Sequence, residues 1–345
     1  MVDLWYALVA LSFTTYVVLD GFDLGAGAIH LLVAKNEAER KAVFAAIGPY
    51  WDGNEVWLLA AGGTLLLAFP PVLAAAFSGM YLAMFLVVWA LILRGLSIEL
   101  RGHVDGDLWR AFWDFVFCAA SAGLAVLFGV ALGNVLRGFP IVAGGMIVLP
   151  LFADFTPEPP TGLIDWYTVL VGVFALFALA THGALFLAHK AEGGLAKRAE
   201  RFALELRFPL VASWAGCFAA SLFVARVRFG PAPMAGLVLA VLGLGAWPVL
   251  LRRGRPLYAF LASCLFLAAS LLGIAASIFP IMLRAQDGRS SVTAESAAAS
   301  PHALGVGAVW YGAGLLLVVG YFVNLFRVHR RGAASAAPSP RSGSP

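Results

Sequence analysis

The sequence DGFDLGAG, residues 20–27, places two carboxyl groups in the middle of an apolar segment. An apolar run from Leu4 to Leu19 leads into it, and GAIHLLVA continues beyond it. One Asp near the centre of a membrane-spanning helix costs roughly 2.5–3.5 kcal/mol on insertion scales. Asp20 and Asp23 must therefore face protein rather than lipid, and the fold has to supply neighbours that stabilise them.

Helical geometry puts these two acids on one face. At about 100° per residue, Asp20 and Asp23 lie about 60° apart, and His30 falls near the same line. The same segment contains three glycines, Gly21, Gly25 and Gly27. Because glycine has no side chain, a neighbouring helix can come close enough to form hydrogen bonds or ion pairs with the acids. The alternative is a buried packing motif in which both Asp side chains are protonated and neutral.

Composition indicates an all-α, polytopic membrane protein. The 345 residues are 61% hydrophobic and 12% charged, with a mean hydropathy of +0.89, whereas soluble domains have about 25% charged residues. Net charge +4 reflects loops, and no basic patch with interleaved aromatic residues indicates a nucleic-acid partner. Apolar runs of about 20 residues predict nine transmembrane segments, at 5–33, 52–69, 72–98, 112–136, 164–188, 208–226, 232–251, 257–283 and 305–327.

The distribution of basic residues predicts the orientation. Connections that follow the odd-numbered segments hold 18 of the 23 Lys and Arg residues, and basic residues near helix ends stay cytoplasmic. We therefore expect a periplasmic N-terminus and a cytoplasmic C-terminus. Residues 1–331 are predicted to form a single transmembrane domain, and 332–345, rich in Ser, Pro and Ala, a disordered cytoplasmic tail. The apolar piece 140–152 is too short to span and is expected to be a surface or re-entrant segment.

A second polar cluster, WDGNEVW, begins the second segment. Asp52 and Glu55 are three residues apart and share a helical face, with Asn54 beside them. Asp20 lies about 22 Å along a core about 30 Å thick, in its cytoplasmic half. The two acidic clusters can therefore approach each other.

The third segment returns basic and acidic residues to the same depth. Arg94 is the best candidate counter-ion for Asp20 or Asp23, because it lies furthest inside its helix; the alternative is that it extends to the interface. Glu99 follows near the cytoplasmic end. Asp114 is expected to begin the fourth segment, where the helix dipole favours a carboxylate without any function. Three further charged residues are expected in a hydrated loop: Asp105, Asp107 and Arg110.

His182 is the one candidate haem ligand inside an apolar segment. No second intramembrane His stands at a depth that would complete a pair, so a hydrogen-bonded core histidine is the favoured interpretation. Metal and nucleophile signatures such as HExxH, CxxC, Walker and GxSxG motifs are absent from the sequence. The chain alone is therefore not expected to be catalytic or to bind a metal.

Five acids are expected at increasing depth from the cytoplasmic face toward the interior of the membrane: Asp20, Asp23, Asp52, Glu55 and Glu99. Burial raises the pKa of a carboxyl group, and a nearby Arg lowers it. A set of acids under both influences can therefore exchange protons near neutral pH. This pattern predicts a proton path. A proton- or cation-coupled transporter would also place carboxylates at mid-membrane, and a purely structural scaffold is a third alternative.

Several motifs together carry a family resemblance. The chain resembles subunit II of the cytochrome bd family of quinol oxidases, including the cyanide-insensitive branch, in DGFDLGAG, GPYWDGNEVWLL, AAFSGMY, WDF, GNVLRGFP and THGALFLAHK. The resemblance implies a heterodimer with subunit I in the bacterial inner membrane that oxidises quinol and reduces oxygen. It also implies a fold of two four-helix bundles plus one peripheral helix.

The resemblance assigns roles as well. It implies that subunit I holds the haem b and haem d groups, while subunit II supports haem assembly and contributes to proton and oxygen access. By position, Asp20, Asp23 and Asp52 match family acids proposed for cytoplasmic proton uptake, and Trp57 matches a tryptophan at the mouth of an oxygen route. A structural quinone and a small single-helix subunit occur in some members and are assigned to no residue here.

Overall fold

Helices make up most of the described part of the chain. The computed structural model describes residues 1–141, 147, 149–225, 227–288 and 290–329. An antiparallel pair of short strands, β1 (Ile281–Leu283) and β2 (Val292–Thr293), interrupts the helices. The helices are α1 (Val2–Val33), α2 (Glu37–Ile47), α3 (Trp51–Ala68), α4 (Pro70–Gly79), α5 (Tyr81–Leu100), α6 (Asp107–Arg137), α7 (Trp166–Lys190), α8 (Gly193–Val224), α9 (Pro231–Arg252), α10 (Pro256–Ile278), α11 (Ala294–Ala297) and α12 (Pro301–Val328).

Eight of these helices are long and apolar enough to cross a membrane, and the bent pair α3–α4 makes a ninth if it is counted as one span. The sequence-based third segment, 72–98, was wrong as one continuous helix. Helix α4 turns by 120° from α3 and ends at Gly79, before α5 begins. Prolines occupy the first positions of α4, where their missing N–H groups cost no hydrogen bond. Ile147 fills the space where a side chain at Gly79 would lie.

Two groups of four spanning helices form the body of the protein, as predicted. Helices α1, α3, α5 and α6 pack together, and α7, α8, α9 and α10 form the second bundle. Helices α1 and α6 both pack on α7, so they form the seam between the bundles. Helix α12 lies outside, mainly against α3. Its C-terminal end is held by Lys190, which donates hydrogen bonds to the His329 carbonyl oxygen at 2.7 Å and to the Tyr50 hydroxyl at 3.1 Å.

Several element bounds differ from the sequence-based expectations. Helix α6 begins at Asp107, so the expected loop around Arg110 is helical, although Asp105 and Asp107 are fully exposed. Helix α8 begins at Gly193, well before residue 208, where the sixth transmembrane segment was predicted to begin. The predicted tail 332–345 and much of the apolar piece 140–152 lie outside the described residues.

The seam depends on direct backbone contact between α1 and α7. A Cβ atom at Gly25 would lie 1.8 Å from the Leu179 carbonyl oxygen, and one at Gly183 would lie 2.1 Å from the Ala26 nitrogen. No side chain fits at these distances, so the glycines set the spacing of the two bundles. The close approach was predicted, but its partner was not: the glycine face meets α7 and α6, while other helices contact the acids.

We expect Gly183→Ala to destabilise the protein by about 1–3 kcal/mol, because the added methyl group forces the backbones apart. Denaturant or thermal unfolding of the purified protein in detergent measures this change. Gly123→Ala in α6 is the matched control, since no heavy atom lies within 4 Å of its added Cβ. Alanine's higher helix propensity should leave this control neutral or more stable by up to about 1 kcal/mol. Equal losses in both variants would contradict the proposed role of the seam.

Candidate functional site

The guanidinium group of Arg94 joins two acids inside the first bundle. Its Nη2 atom donates a hydrogen bond to Asp20 Oδ1 at 2.8 Å and one to Glu55 Oε1 at 2.5 Å. The Arg94 and Asp20 side chains are buried, whereas that of Glu55 is 28% exposed. Three helices, α1, α3 and α5, therefore meet at one charged group.

Asp23 lies one turn further along α1 and has a different partner. Asn54 Nδ2 donates to Asp23 Oδ2 at 2.7 Å and to the Leu19 carbonyl oxygen at 3.2 Å. Asn54 and Glu55 are consecutive residues of α3, so one turn of this helix contacts both acids of α1. The expected meeting of DGFDLGAG with WDGNEVW thus occurs through Asn54 and, by way of Arg94, through Glu55.

Several polar atoms of this cluster are buried without a protein hydrogen-bond partner. They include Asp20 Oδ2, Asp23 Oδ1 and the hydroxyl of Tyr16, which lies one helical turn before Asp20. Buried polar atoms of this kind bind water. Tyr16 was not identified from the sequence, because a lone tyrosine in an apolar segment gives no distinguishing pattern.

The remaining predicted residues lie around this cluster rather than in it. Asp52 is exposed at the start of α3, and Glu99 is exposed near the C-terminal end of α5, five residues beyond Arg94. Trp57 is buried, with its ring centroid 6.0 Å from that of Phe322 in α12. An open apolar cavity of about 280 Å³ adjoins Trp57 between α1, α3 and α12.

A second ion cluster, where α1 and α5 end and α6 begins, was not predicted from the sequence. Asp114 is fully buried and accepts hydrogen bonds from Arg101 Nε at 2.6 Å and from Arg40 Nη1 at 3.1 Å. His30 Nε2 lies 2.8 Å from the same carboxyl group. The expectation that Asp114 merely begins a helix was wrong, because it lies two turns inside α6. His30 belongs to this cluster and not to that of Asp20.

Arg101 connects this cluster to the surface helix α2. It donates hydrogen bonds to Glu37 Oε1 at 3.1 Å and to Glu37 Oε2 at 2.8 Å. These bonds to Arg101 lower the pKa of Glu37 below its ordinary value. One carboxylate, Asp114, is therefore surrounded by two guanidinium groups and a histidine, an arrangement that holds α1, α2, α5 and α6 together.

The motif GNVLRGFP forms a third polar site, at the other end of the protein. Arg137 pairs with Asp165, the residue that caps α7, and donates from Nη2 to Asn134 Oδ1 at 2.5 Å. Asn134 Nδ2 in turn donates to the Leu163 carbonyl oxygen at 2.9 Å. These bonds fasten the end of α6 to the beginning of α7.

His182 uses both ring nitrogens within the protein. Nδ1 lies 2.7 Å from the Ser263 hydroxyl and Nε2 lies 3.0 Å from the Val18 carbonyl oxygen. The ring stacks on Phe260 at a centroid distance of 4.9 Å. These surroundings do not fit a haem ligand, which needs one nitrogen free toward the iron and open space beside it.

We expect Asp114→Asn to destabilise the protein by about 3–5 kcal/mol, because Arg101 and Arg40 would lose the carboxylate that compensates them. Unfolding in detergent checks this loss. Asp107→Asn, seven residues earlier on the same helix and fully exposed, is the control and should be close to neutral. If Asp114→Asn is as stable as this control, the cluster does not hold the helices together.

Comparison with known proteins identifies the family. The family model for cytochrome bd terminal oxidase subunit II matches residues 1–329. A Bacillus subtilis cytochrome bd ubiquinol oxidase subunit 2 is 30% identical over 97% of this chain and 98% of its own length.

Two shorter matches agree with this assignment. A probable cytochrome oxidase subunit 2 of Haemophilus influenzae is 40% identical over 57% of this chain. The cytochrome bd-I ubiquinol oxidase subunit 2 of Escherichia coli is 35% identical over 56% of it. Each match spans about half the length of the relative, 50% and 49%.

The fold is also that of a solved oxidase. A chain of the bd oxidase from Geobacillus thermodenitrificans superposes with a TM-score of 0.75, at 17% identity, over 95% of this chain and 98% of its own length. The apolar helices and the family match make this a multi-pass protein of the bacterial inner membrane. The chain belongs to the cytochrome bd terminal oxidase subunit II family.

Proposed function

We propose that this chain acts as subunit II of a quinol:oxygen oxidoreductase, where it conducts protons from the cytoplasmic side to subunit I and supports haem assembly there. The observation that carries this proposal is the buried group of Asp20, Arg94 and Glu55, with Asp23 and Asn54 beside it. The named activity of the Bacillus subtilis and Escherichia coli relatives, ubiquinol oxidation, supports the reaction class.

The charge count of the cluster favours proton exchange. One guanidinium group, that of Arg94, pairs with two carboxyl groups, Asp20 and Glu55, while the third carboxyl group, Asp23, is bound by the Asn54 amide. An unpaired ionised carboxylate in an apolar interior costs several kcal/mol. At least one carboxyl group of the three therefore holds a proton, and small changes in the neighbourhood can move it.

The exposure gradient supplies a direction. Asp52 and Glu99 are exposed, Glu55 is partly exposed and both Asp20 and Asp23 are buried. Protons collected at the two exposed acids pass to Glu55 and then, around Arg94, to Asp20. Asp23 is reached through the polar atoms near Asn54, and Tyr16 extends the polar line toward the middle of the membrane.

The haem groups belong to the partner in this proposal. His182 does not fit a haem ligand, so haem b and haem d are assigned to subunit I, which would also oxidise quinol. When bound there, the haems supply electron transfer and oxygen reduction. Drawing the protons for that reaction from the cytoplasm makes turnover generate a membrane potential without pumping.

Apolar access is a second contribution of this chain. The cavity beside Trp57 is lined by side chains such as Leu19, Val319 and Phe322, which suit apolar molecules such as oxygen. The Trp57 ring nitrogen is buried without a protein partner, so a structural quinone that accepts this hydrogen bond also fits. A small third subunit is expected from the family resemblance alone. Because the chain belongs to an oxidase family, we do not propose that it is a transporter.

We expect Asp20→Asn in the assembled oxidase to lower quinol-dependent oxygen consumption roughly 10²-fold, the scale of a lost positioned proton carrier. The amide keeps the shape and can still meet Arg94 through its oxygen, so haem content should stay normal. An oxygen electrode and a reduced-minus-oxidised absorption spectrum measure the two quantities.

Asp3→Asn, at the opposite end of α1, is the matched control and should keep full turnover. Normal turnover with normal haem in Asp20→Asn would overturn the proton path. Loss of haem in that variant would instead indicate that this acid acts in assembly.

We expect Glu99→Gln to lower turnover by less than about threefold, because Asp52 is a second exposed acid outside the cluster and proton collection is shared. The double variant Asp52→Asn with Glu99→Gln should lose more activity than the two single losses combined. Oxygen consumption across pH 6–8 checks this, and full activity in the double variant would place proton collection elsewhere.

A further inference from the structure

An apolar cavity of about 130 Å³ lies inside the second bundle, away from all of the acids. It occupies the half of the bundle where α8 ends and α9 begins. Its walls come chiefly from three helices and include Trp214, Phe218, Met234, Leu237, Gly273 and Ile274.

The cavity opens sideways between α8 and α9. Helix α8 packs mainly on α7, and α9 packs mainly on α10, so α8 and α9 touch only slightly. Phe223 near the end of α8 is 82% exposed, which indicates that this side of the bundle faces lipid. A chain-like apolar molecule can therefore enter from the bilayer without any helix moving.

The depth of the cavity equals one leaflet. Ala240 on α9 and Trp214 on α8 both contribute to its inner end. At 1.5 Å per residue they lie about 14–15 Å from Pro231 and Val224, the helix ends at the rim. Half of a hydrocarbon core about 30 Å thick is the same distance.

The serine hydroxyls that line the interior are not free to bind a polar ligand. Its serine hydroxyls already donate to carbonyl oxygens of their own helices, Ser270 to Phe266 at 2.7 Å and Ser277 to Ile274 at 2.7 Å. Ser221 is bound to both Cys217 and Tyr167. Cavities of about 150 Å³ with apolar walls stay dry and bind small apolar groups.

The mouth of the cavity is positively charged. Arg228 lines it and is exposed, and among the described residues its side chain has no hydrogen bond and no ion pair. Helix α9 begins three residues later at Pro231, so its positive dipole end adds to this charge. A ligand that matches both parts has a negative head and an apolar chain.

We propose that this cavity is a lipid site: one acyl chain of an anionic phospholipid inserts between α8 and α9, and its phosphate binds Arg228. The site is independent of the proton path and of subunit I. On the predicted orientation it draws its lipid from the periplasmic leaflet.

The experiment uses the purified oxidase in nanodiscs that contain phosphatidylglycerol with a diazirine at the end of one acyl chain. After irradiation, peptide mass spectrometry should find adducts on the segments that carry Trp214 and Ala240, at the inner end of the cavity. Ser270→Phe, which fills the cavity, should reduce these adducts about tenfold, a change equivalent to 1.4 kcal/mol. Ser270→Leu provides a smaller filling side chain if the Phe variant fails to assemble.

The charge at the mouth is tested separately. Arg228→Gln should lower the preference for labelled phosphatidylglycerol over labelled phosphatidylcholine roughly fivefold, the effect of one basic residue near an anionic headgroup. Arg255→Gln, at the opposite end of the same bundle, is the matched control and should leave the preference unchanged. Adducts that avoid the cavity segments, or equal labelling by both lipids in the unaltered protein, would overturn the proposal.

Discussion

The buried Arg94 guanidinium group is the interaction on which the first bundle depends. Helix α1 carries two acids inside an apolar bundle, and among the described residues Arg94 is the basic residue that pairs with Asp20. Removing Arg94 would cost about 3–5 kcal/mol, since the carboxyl groups that remain would be uncompensated. The spacing of α1, α3 and α5 is therefore fixed by Asp20, Glu55 and Arg94, while the opposite side of α1 is fixed by glycine contact with α7.

The two ion clusters of this bundle differ in their balance of positive and negative charges. This difference is the basis on which we assign a structural role to one and a functional role to the other. Asp114 is one carboxylate among two guanidinium groups and a histidine, so its negative charge is fully compensated by its neighbours. The cluster at Arg94 has more carboxyl groups than positive charges. Only an undercompensated cluster can take up and release a proton at modest cost, which is why we assign proton transfer to Asp20 and helix packing to Asp114.

The sequence predicted those features of the site that a short stretch of chain contains by itself. Charged residues inside apolar segments stand out, so Asp20, Asp23 and Arg94 could be predicted to meet inside the bundle. The partners of Asp114 come from three other helices, and nothing local to WDF indicates that they converge there. The break before α5, at Met80, was not predicted, because no charged residue marks it in residues 72–93; Gly79, beside the break, packs against Ile147 from a distant part of the chain.

The position of the proton cluster also explains why this chain needs a partner. The outer surface of α3 and α5 exposes large apolar side chains, among them Leu59 at 75%, Phe85 at 62% and Trp89 at 58%. Glu55 is partly exposed on this same side, and an ionisable group cannot face lipid without a large penalty. In the proposed complex subunit I covers this surface, so Glu55 faces protein rather than lipid. The same contact that shields the carboxyl groups from lipid would then connect them to the site that consumes protons.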